Sequence, residues 1–71
     1  MDTNYIEITL KAARVNAGLK QKEAAEKLDI SVSSLQGYES GKTCPSWKTI
    51  KKMEILYDYP AKYIFFNDNH V

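Results

Sequence analysis

The side chains able to act on a partner are concentrated between Lys11 and Lys52, where nine Lys or Arg stand against four Asp or Glu, a surplus of +5. Residues 1–10 carry −2 and residues 53–71 carry −2, so the net charge of +1 hides a basic middle between acidic ends. Ammonium and guanidinium groups at this density can neutralise several phosphates. A scattered, solvated surface is the plainer alternative. Catalysis has no comparable set of residues. His70 stands alone, Cys44 has no histidine near it, and neither a glycine-rich phosphate loop nor a cluster of metal ligands occurs. No enzyme activity, metal site or cofactor is expected. The lone Cys44 excludes an internal disulfide and is expected to be structural or incidental.

The 71 residues predict a single domain, 1–71, with a core over about 6–66 and a frayed tail over 67–71. Any function is then expected on this one surface. The 44% hydrophobic share suits a folded domain. No apolar run approaches the roughly 18 residues of a membrane span, and MDTNYIEITL is not a signal-peptide pattern. A cytoplasmic location is the expectation.

The elements that would hold the basic middle read as short helices. Residues 1–8 are expected to be an extended lead-in, with Ile6 and Ile8 packing on the domain. Thr9 is the expected N-cap of a first helix, Leu10 to Ala17, which Gly18 ends. Leu10, Ala13, Arg14 and Ala17 fall on one face of it. Arg14 is out of place there: it either pairs inside with a carboxylate, Glu39 being the best candidate, or reaches out to solvent. A second helix is predicted over Gln21 to Leu28, with Ala24, Ala25 and Leu28 inward. Lys20 is a poor N-cap, lacking an acceptor, although Glu23 in the first turn offsets this. Asp29 and Ile30 make a tight turn, with Asp29 tolerating the left-handed conformation. Ser31 caps a third helix, Val32 to about Ser40, with Leu35 and Tyr38 inward and Gly41 as the stop. After Thr43-Cys44-Pro45, Ser46 caps a fourth helix, Trp47 to about Tyr57, with Trp47, Ile50, Met53 or Glu54, and Tyr57 as an inward stripe widened by Leu56. Asp58 ends it. Pro60 opens a short fifth helix, Ala61 to Phe66, with Ile64 and Phe65 inward. The whole is an all-α arrangement, in which the second and third helices form a helix-turn-helix whose second member usually enters a DNA major groove.

Arg14, Gly18-Leu19, Gln21-Lys22-Glu23-Ala24-Ala25, Leu28, Ile30-Ser31, Leu35, Tyr38-Glu39-Ser40-Gly41-Lys42, Pro45-Ser46, Ile50 and Leu56 resemble, in identity and spacing, the phage-repressor and Cro-like (xenobiotic-response-element) helix-turn-helix family. The match runs over roughly residues 6–66. The resemblance implies a compact five-helix lambda-repressor-like DNA-binding domain. It also implies that Gln21 binds a DNA phosphate and props the recognition helix, and that Arg14 and Glu39 form a buried ion pair. By the same carry-over, Val32, Ser33, Gln36 and Gly37 face base edges, and Ser31, Ser34, Ser40, Lys42 and Ser46 touch the sugar-phosphate backbone.

Chemically, Gln36 is the strongest base reader, since an amide can pair bidentately with adenine N6 and N7. Val32 can pack on a thymine methyl, and Ser33 can donate or accept. Gly37 shows nothing and costs about 1 kcal/mol relative to Ala inside a helix, unless a partner's close approach requires it. No Lys or Arg lies between Ser31 and Gly41, so Arg-to-guanine recognition is missing. The alternative for Ser33, Ser34 and Gln36 is a merely solvated polar face. Phosphate contacts would then fall to Lys20, Gln21, Lys22 and Lys42, with Lys48 farther out. The expected partner is double-stranded operator DNA, read by a transcriptional regulator, with a phage or prophage switch protein as the finer expectation. Tyr63 and Phe66 are the candidate surface for a homodimer, or else cover the edge of the core. A second function of another class is an antirepressor that docks its helix-turn-helix face on a partner repressor protein, motivated by the uncharged third helix with its gap at Gly37 and by the weak net charge.

Overall fold

The computed structural model describes residues 5–66. The expected frayed tail and His70 lie outside the described residues. The order of elements is β1 (Ile8–Thr9), α1 (Leu10–Asn16), α2 (Gln21–Leu28), α3 (Val32–Ser40), α4 (Trp47–Tyr57), a 3-10 turn (Ala61–Tyr63) and β2 (Ile64–Phe65).

Each helix starts and stops for a local reason. The hydroxyls of Thr9, Ser31 and Ser46 accept hydrogen bonds from the N–H groups of Ala12, Ser34 and Thr49, capping α1, α3 and α4. Lys20 cannot accept in this way. Instead its own backbone N–H donates to Glu23 Oε1 at 2.9 Å, which is half of a capping box. Helices α2, α3 and α4 all end on a left-handed residue: Asp29 (φ 61°), Gly41 (φ 82°) and Asp58 (φ 52°). At Asp29 and Asp58 the short carboxylate side chain tolerates a conformation that glycine takes more easily.

The core takes one fully buried large side chain from each helix: Leu10, Leu28, Leu35 and Met53. Ala13, Ala24, Ala25, Tyr57 and Ile64 complete it, and Leu19, Ile30, Val32, Tyr38 and Leu56 pack partly against it. The small side chains Ala24 and Ala25 let α2 lie close to its neighbours. That closeness places the start of α2 beside the outer side of α3.

Five expectations from the sequence are corrected. There are four α-helices among the described residues, not five. After a single 3-10 turn the chain extends, and Ile64–Phe65 pairs in parallel with Ile8–Thr9, in the register Ile8↔Ile64 and Thr9↔Phe65. Branched and aromatic side chains at 63–66 favour extended backbone, and the lead-in supplies a strand to pair with. Phe65 is 55% exposed for the same reason: successive strand residues point to opposite faces, so an inward Ile64 sends Phe65 out. Trp47 is 69% exposed. It sits in the first turn of α4, beyond the edge of the core, and its ring carries the Lys51 ammonium at 5.4 Å from the centroid. Ala17 and Ile6 are also exposed rather than packed, Ile6 at 71%.

The two ends of the described chain are tied by side chains as well as by the strands. The Tyr59 hydroxyl donates to the Ile6 carbonyl, and the Tyr5 ring meets Tyr59 edge-on at 5.1 Å and Tyr63 stacked at 5.7 Å. Glu54 accepts from the Ala61 N–H at 2.9 Å and so docks the 3-10 turn on α4. This bond, with Lys51 as a further partner, holds the Glu54 carboxyl below its usual range against the opposing effect of desolvation.

Candidate nucleic-acid interface

The outer faces of α2 and α3 are organised around one ion pair. Arg14 projects from the last turn of α1 into the space between α2 and α3. Its Nε donates to Glu39 Oε2 at 2.6 Å, its Nη2 to Glu39 Oε1 at 3.2 Å, and its Nη1 to the Leu19 carbonyl at 2.8 Å. Both side chains are nearly withdrawn from water, at 8% and 5% exposure. Desolvating two charges is costly, and the bidentate geometry with a third bond to backbone is what makes such burial tolerable. The pair ties the end of α1 and the α1–α2 connection to α3.

Gln21, the first residue of α2, extends this pair outward. Its Nε2 donates to Glu39 Oε1 at 3.0 Å, and its Oε1 accepts from Gln36 Nε2 at a longer 3.4 Å. Gln36 is exposed on α3. The sequence-predicted base readers are therefore not equivalent. Gln36, held by Gln21, and Ser33 are exposed on the outer face, Val32 is partly turned into the core, and Gly37 is half-buried. A cleft alongside α3 is lined by Ser33, Ser34, Gln36, Gly37, Ser40 and Lys42, together with Tyr38, Thr43 and Cys44.

The half-burial of Gly37 has an internal cause. A Cβ there would lie 3.0 Å from Thr43 Oγ1. The Gly37 carbonyl also accepts from Lys42 N at 2.9 Å, Thr43 N at 3.2 Å and Ser40 Oγ at 3.2 Å. The loop after α3 folds back onto this position and seats itself where a side chain would be.

The hydroxyls expected at the sugar-phosphate are partly committed within the chain. Ser31 Oγ caps α3 and donates to Ser34 Oγ at 2.9 Å. Ser46 Oγ caps α4 and donates to Thr49 Oγ1 at 3.2 Å. Ser40 Oγ is spent on Gly37. Lys20, Lys22 and Lys42 are exposed, and Lys20 and Gln21 border a second cleft with Lys11, Arg14, Val15, Gly18 and Leu19. Lys11 was singled out by nothing beyond its place in the basic middle, and Thr43 by nothing at all. Among the described residues no group of His, Cys, Asp or Glu could hold a metal ion, and no helix is long and apolar enough to cross a membrane.

Tyr57, on α4 behind the ion pair, is the one buried side chain whose polar atom lacks a partner among the described residues. Burial, and then the nearby Glu39 carboxylate, push its phenol up from 10.0 to about 12, with Arg14 acting in the opposite sense.

Comparison with known proteins agrees with this geometry. The chain is 42% identical over 59 residues to the HTH-type transcriptional regulator ImmR of Bacillus subtilis (strain 168); the aligned region is 83% of this chain and 46% of ImmR, so the chain spans about half the length of that relative. No solved structure matches it significantly. The helix-turn-helix family model HTH_3 matches residues 10–64, which is most of the chain, and the chain belongs to this Cro/C1-type, phage-repressor-like helix-turn-helix family.

Proposed function

We propose that this protein is a DNA-binding transcriptional regulator that lays α3 in the major groove. The observation that carries the reading is the held amide: Gln36, exposed on α3, is buttressed by Gln21 from the start of α2. Side-chain amides held at a helix surface suit adenine, with one acceptor and one donor for N6 and N7. Ser33 and the exposed part of Val32 flank it and add weaker selectivity. Lys20, Lys22 and Lys42, with the second N–H of Gln21, supply phosphate contacts on either side. Ser31, Ser34, Ser40 and Ser46 retain acceptor capacity and add contacts of lower weight. Such a module is moderately selective, because one amide does most of the reading. ImmR, with which it shares 42% identity, is named as a transcriptional regulator, and a phage or prophage switch role is the finer form of the proposal. Two copies on a two-fold site would read half-sites about one helical turn apart. Phe66 is the stronger of the two expected dimer residues, because it borders an apolar groove with Trp47, Ile50, Ala61 and Lys62, whereas Tyr63 already stacks on Tyr5.

Docking on a partner repressor is the alternative that the gap at Gly37, the sparse charge of the third helix and the weak net charge suggest. Thr43 and the loop after α3 occupy that gap, which leaves the second reading with the weak net charge and with an α3 that carries no Lys or Arg and whose one acid, Glu39, is withdrawn into the ion pair. Selection of binding sites from random duplex DNA at low salt tests the proposal. Enrichment of a motif containing an adenine whose preference is lost in Gln36→Ala is the expected result. Recovery of random sequence by the parent protein would overturn it.

A further inference from the structure

The hydrogen bonds that run from the buried ion pair to the surface have a direction, and charge sets it. Arg14 has only donors, and a guanidinium keeps its proton in proteins. Glu39, as a carboxylate, has only acceptors. The Glu39 Oε1 that receives Arg14 Nη2 also receives Gln21 Nε2, at 3.2 and 3.0 Å. Since a carboxylate has no proton to give, Gln21 can meet it only with its NH2 group. Its oxygen is thereby turned to the other side, toward Gln36, and accepts from Gln36 Nε2 at 3.4 Å. An oxygen in that place can be met only by an N–H. The amide orientation of an exposed side chain on α3 is thus dictated from inside the domain.

We infer that Arg14 and Glu39, besides joining α1 to α3, are positioning residues for base selection: the carboxylate orients the Gln21 amide, and Gln21 orients Gln36. This rests on the reading of α3 as the groove-facing helix. In the enforced orientation Gln36 spends one N–H on Gln21 and keeps its Oε1 and its second N–H for a base, the pattern that complements adenine N6 and N7. Without the constraint the amide can turn over, exchanging its acceptor for its donors at the same place. Each orientation then suits a different base edge, and the preference averages out.

The test separates polarity from packing. In Arg14→Met/Glu39→Leu an apolar pair replaces the ions, a change that often preserves stability where removal of one partner would not, and Gln21 loses its acceptor. Gln21→Met cuts the relay while leaving the ion pair intact, and serves if the double variant does not fold. Both variants are expected to bind the selected site with an adenine preference at the Gln36 position reduced about tenfold, while their affinity for random duplex of the same length stays within about twofold for the double variant. Adding Gln36→Ala to either should cause no further loss of preference. Parent-like preference in a folded double variant, or in Gln21→Met, would overturn the inference.

A second readout needs no DNA. NMR relaxation of the side-chain NH2 groups of Gln21 and Gln36 should show both ordered in the free parent and both mobile in the double variant; unchanged order in that variant would overturn the relay. A parent that selects no sequence, yet shows this loss of order, would sink the groove-reading proposal and uphold the relay.

Discussion

At the scale of single residues, two buried groups have opposite energetics. Arg14 is fully compensated, by Glu39 and by the Leu19 carbonyl. Arg14→Ala would strand a carboxylate that is 5% exposed, and should cost about 3–5 kcal/mol in urea unfolding. A variant melting within a degree or two of the parent would show that the pair contributes little. The Tyr57 hydroxyl is the reverse case, buried with no partner among the described residues. Tyr57→Phe removes a desolvated polar atom and should stabilise by about 1 kcal/mol. It should also change the alkaline limb of the stability profile. From near pH 10 the unfolded chain loses the phenol proton while the folded chain keeps it up to about 12. The contribution of Tyr57 is therefore complete below pH 10 and lost as pH rises through that window. The difference in stability between parent and Tyr57→Phe, measured by denaturant titration at stepped pH, should widen there. A constant difference from pH 9 to 12 would refute the assignment.

At the scale of elements, α3 is held at both ends by its own sequence: Ser31 caps it, and Gly41 turns the chain out of it. Its weak point is Gly37, which looks like a defect in a helix chosen to face a partner. The structure gives it an internal use as the seat of the loop that carries Thr43. Because Thr43 is exposed and its hydroxyl can swing away from a Cβ 3.0 Å distant, the helix preference for alanine should win. Gly37→Ala is expected to raise stability by about 0.5–1 kcal/mol, readable as a higher thermal midpoint. Destabilisation instead would mean that the Thr43 hydroxyl is held rigidly over the helix. A glycine inside α3 announced an unusual position; the loop that packs against it could not be read from any local pattern.

At the scale of the molecule, the basic surplus between residues 11 and 52 matters through where it sits. Lys20, Lys22 and Lys42 lie on α2 and just before and after the α2–α3 unit, whereas Lys62 lies in the 3-10 turn packed on α4, with its ammonium 5.5 Å from the centre of the Tyr63 ring. Neutralising any one of the first three by Lys→Gln should lower the slope of log affinity against log salt by about one unit. Lys62→Gln should leave that slope as it is. Equal effects from all four would indicate a diffuse basic surface rather than an oriented interface. In the proposed reading, affinity from the rim and selectivity from Gln36 are separable quantities, one sensitive to salt and the other to a single amide.

The sequence by itself determined the helix starts at Thr9, Ser31 and Ser46, the stops at Asp29, Gly41 and Asp58, and the inward residues Leu10, Leu28 and Leu35, because caps, left-handed turns and the helical repeat are local properties of the chain; between Met53 and Glu54 it left the choice open, and packing buries Met53. The apolar face of α1 left Arg14 open between Glu39 and solvent, the resemblance implied the pair, and the structure shows it. Tertiary structure alone decided that residues 64–65 become a strand, because their pairing partner lies far away in sequence at Ile8 and Thr9. It likewise decided that Trp47 faces solvent, since the buried residues of α4 begin only at Met53, more than a turn farther along the helix. The amide relay from Glu39 through Gln21 to Gln36 belongs to the same class: three side chains on two helices acquire a common direction only when packing brings them within reach of one buried charge.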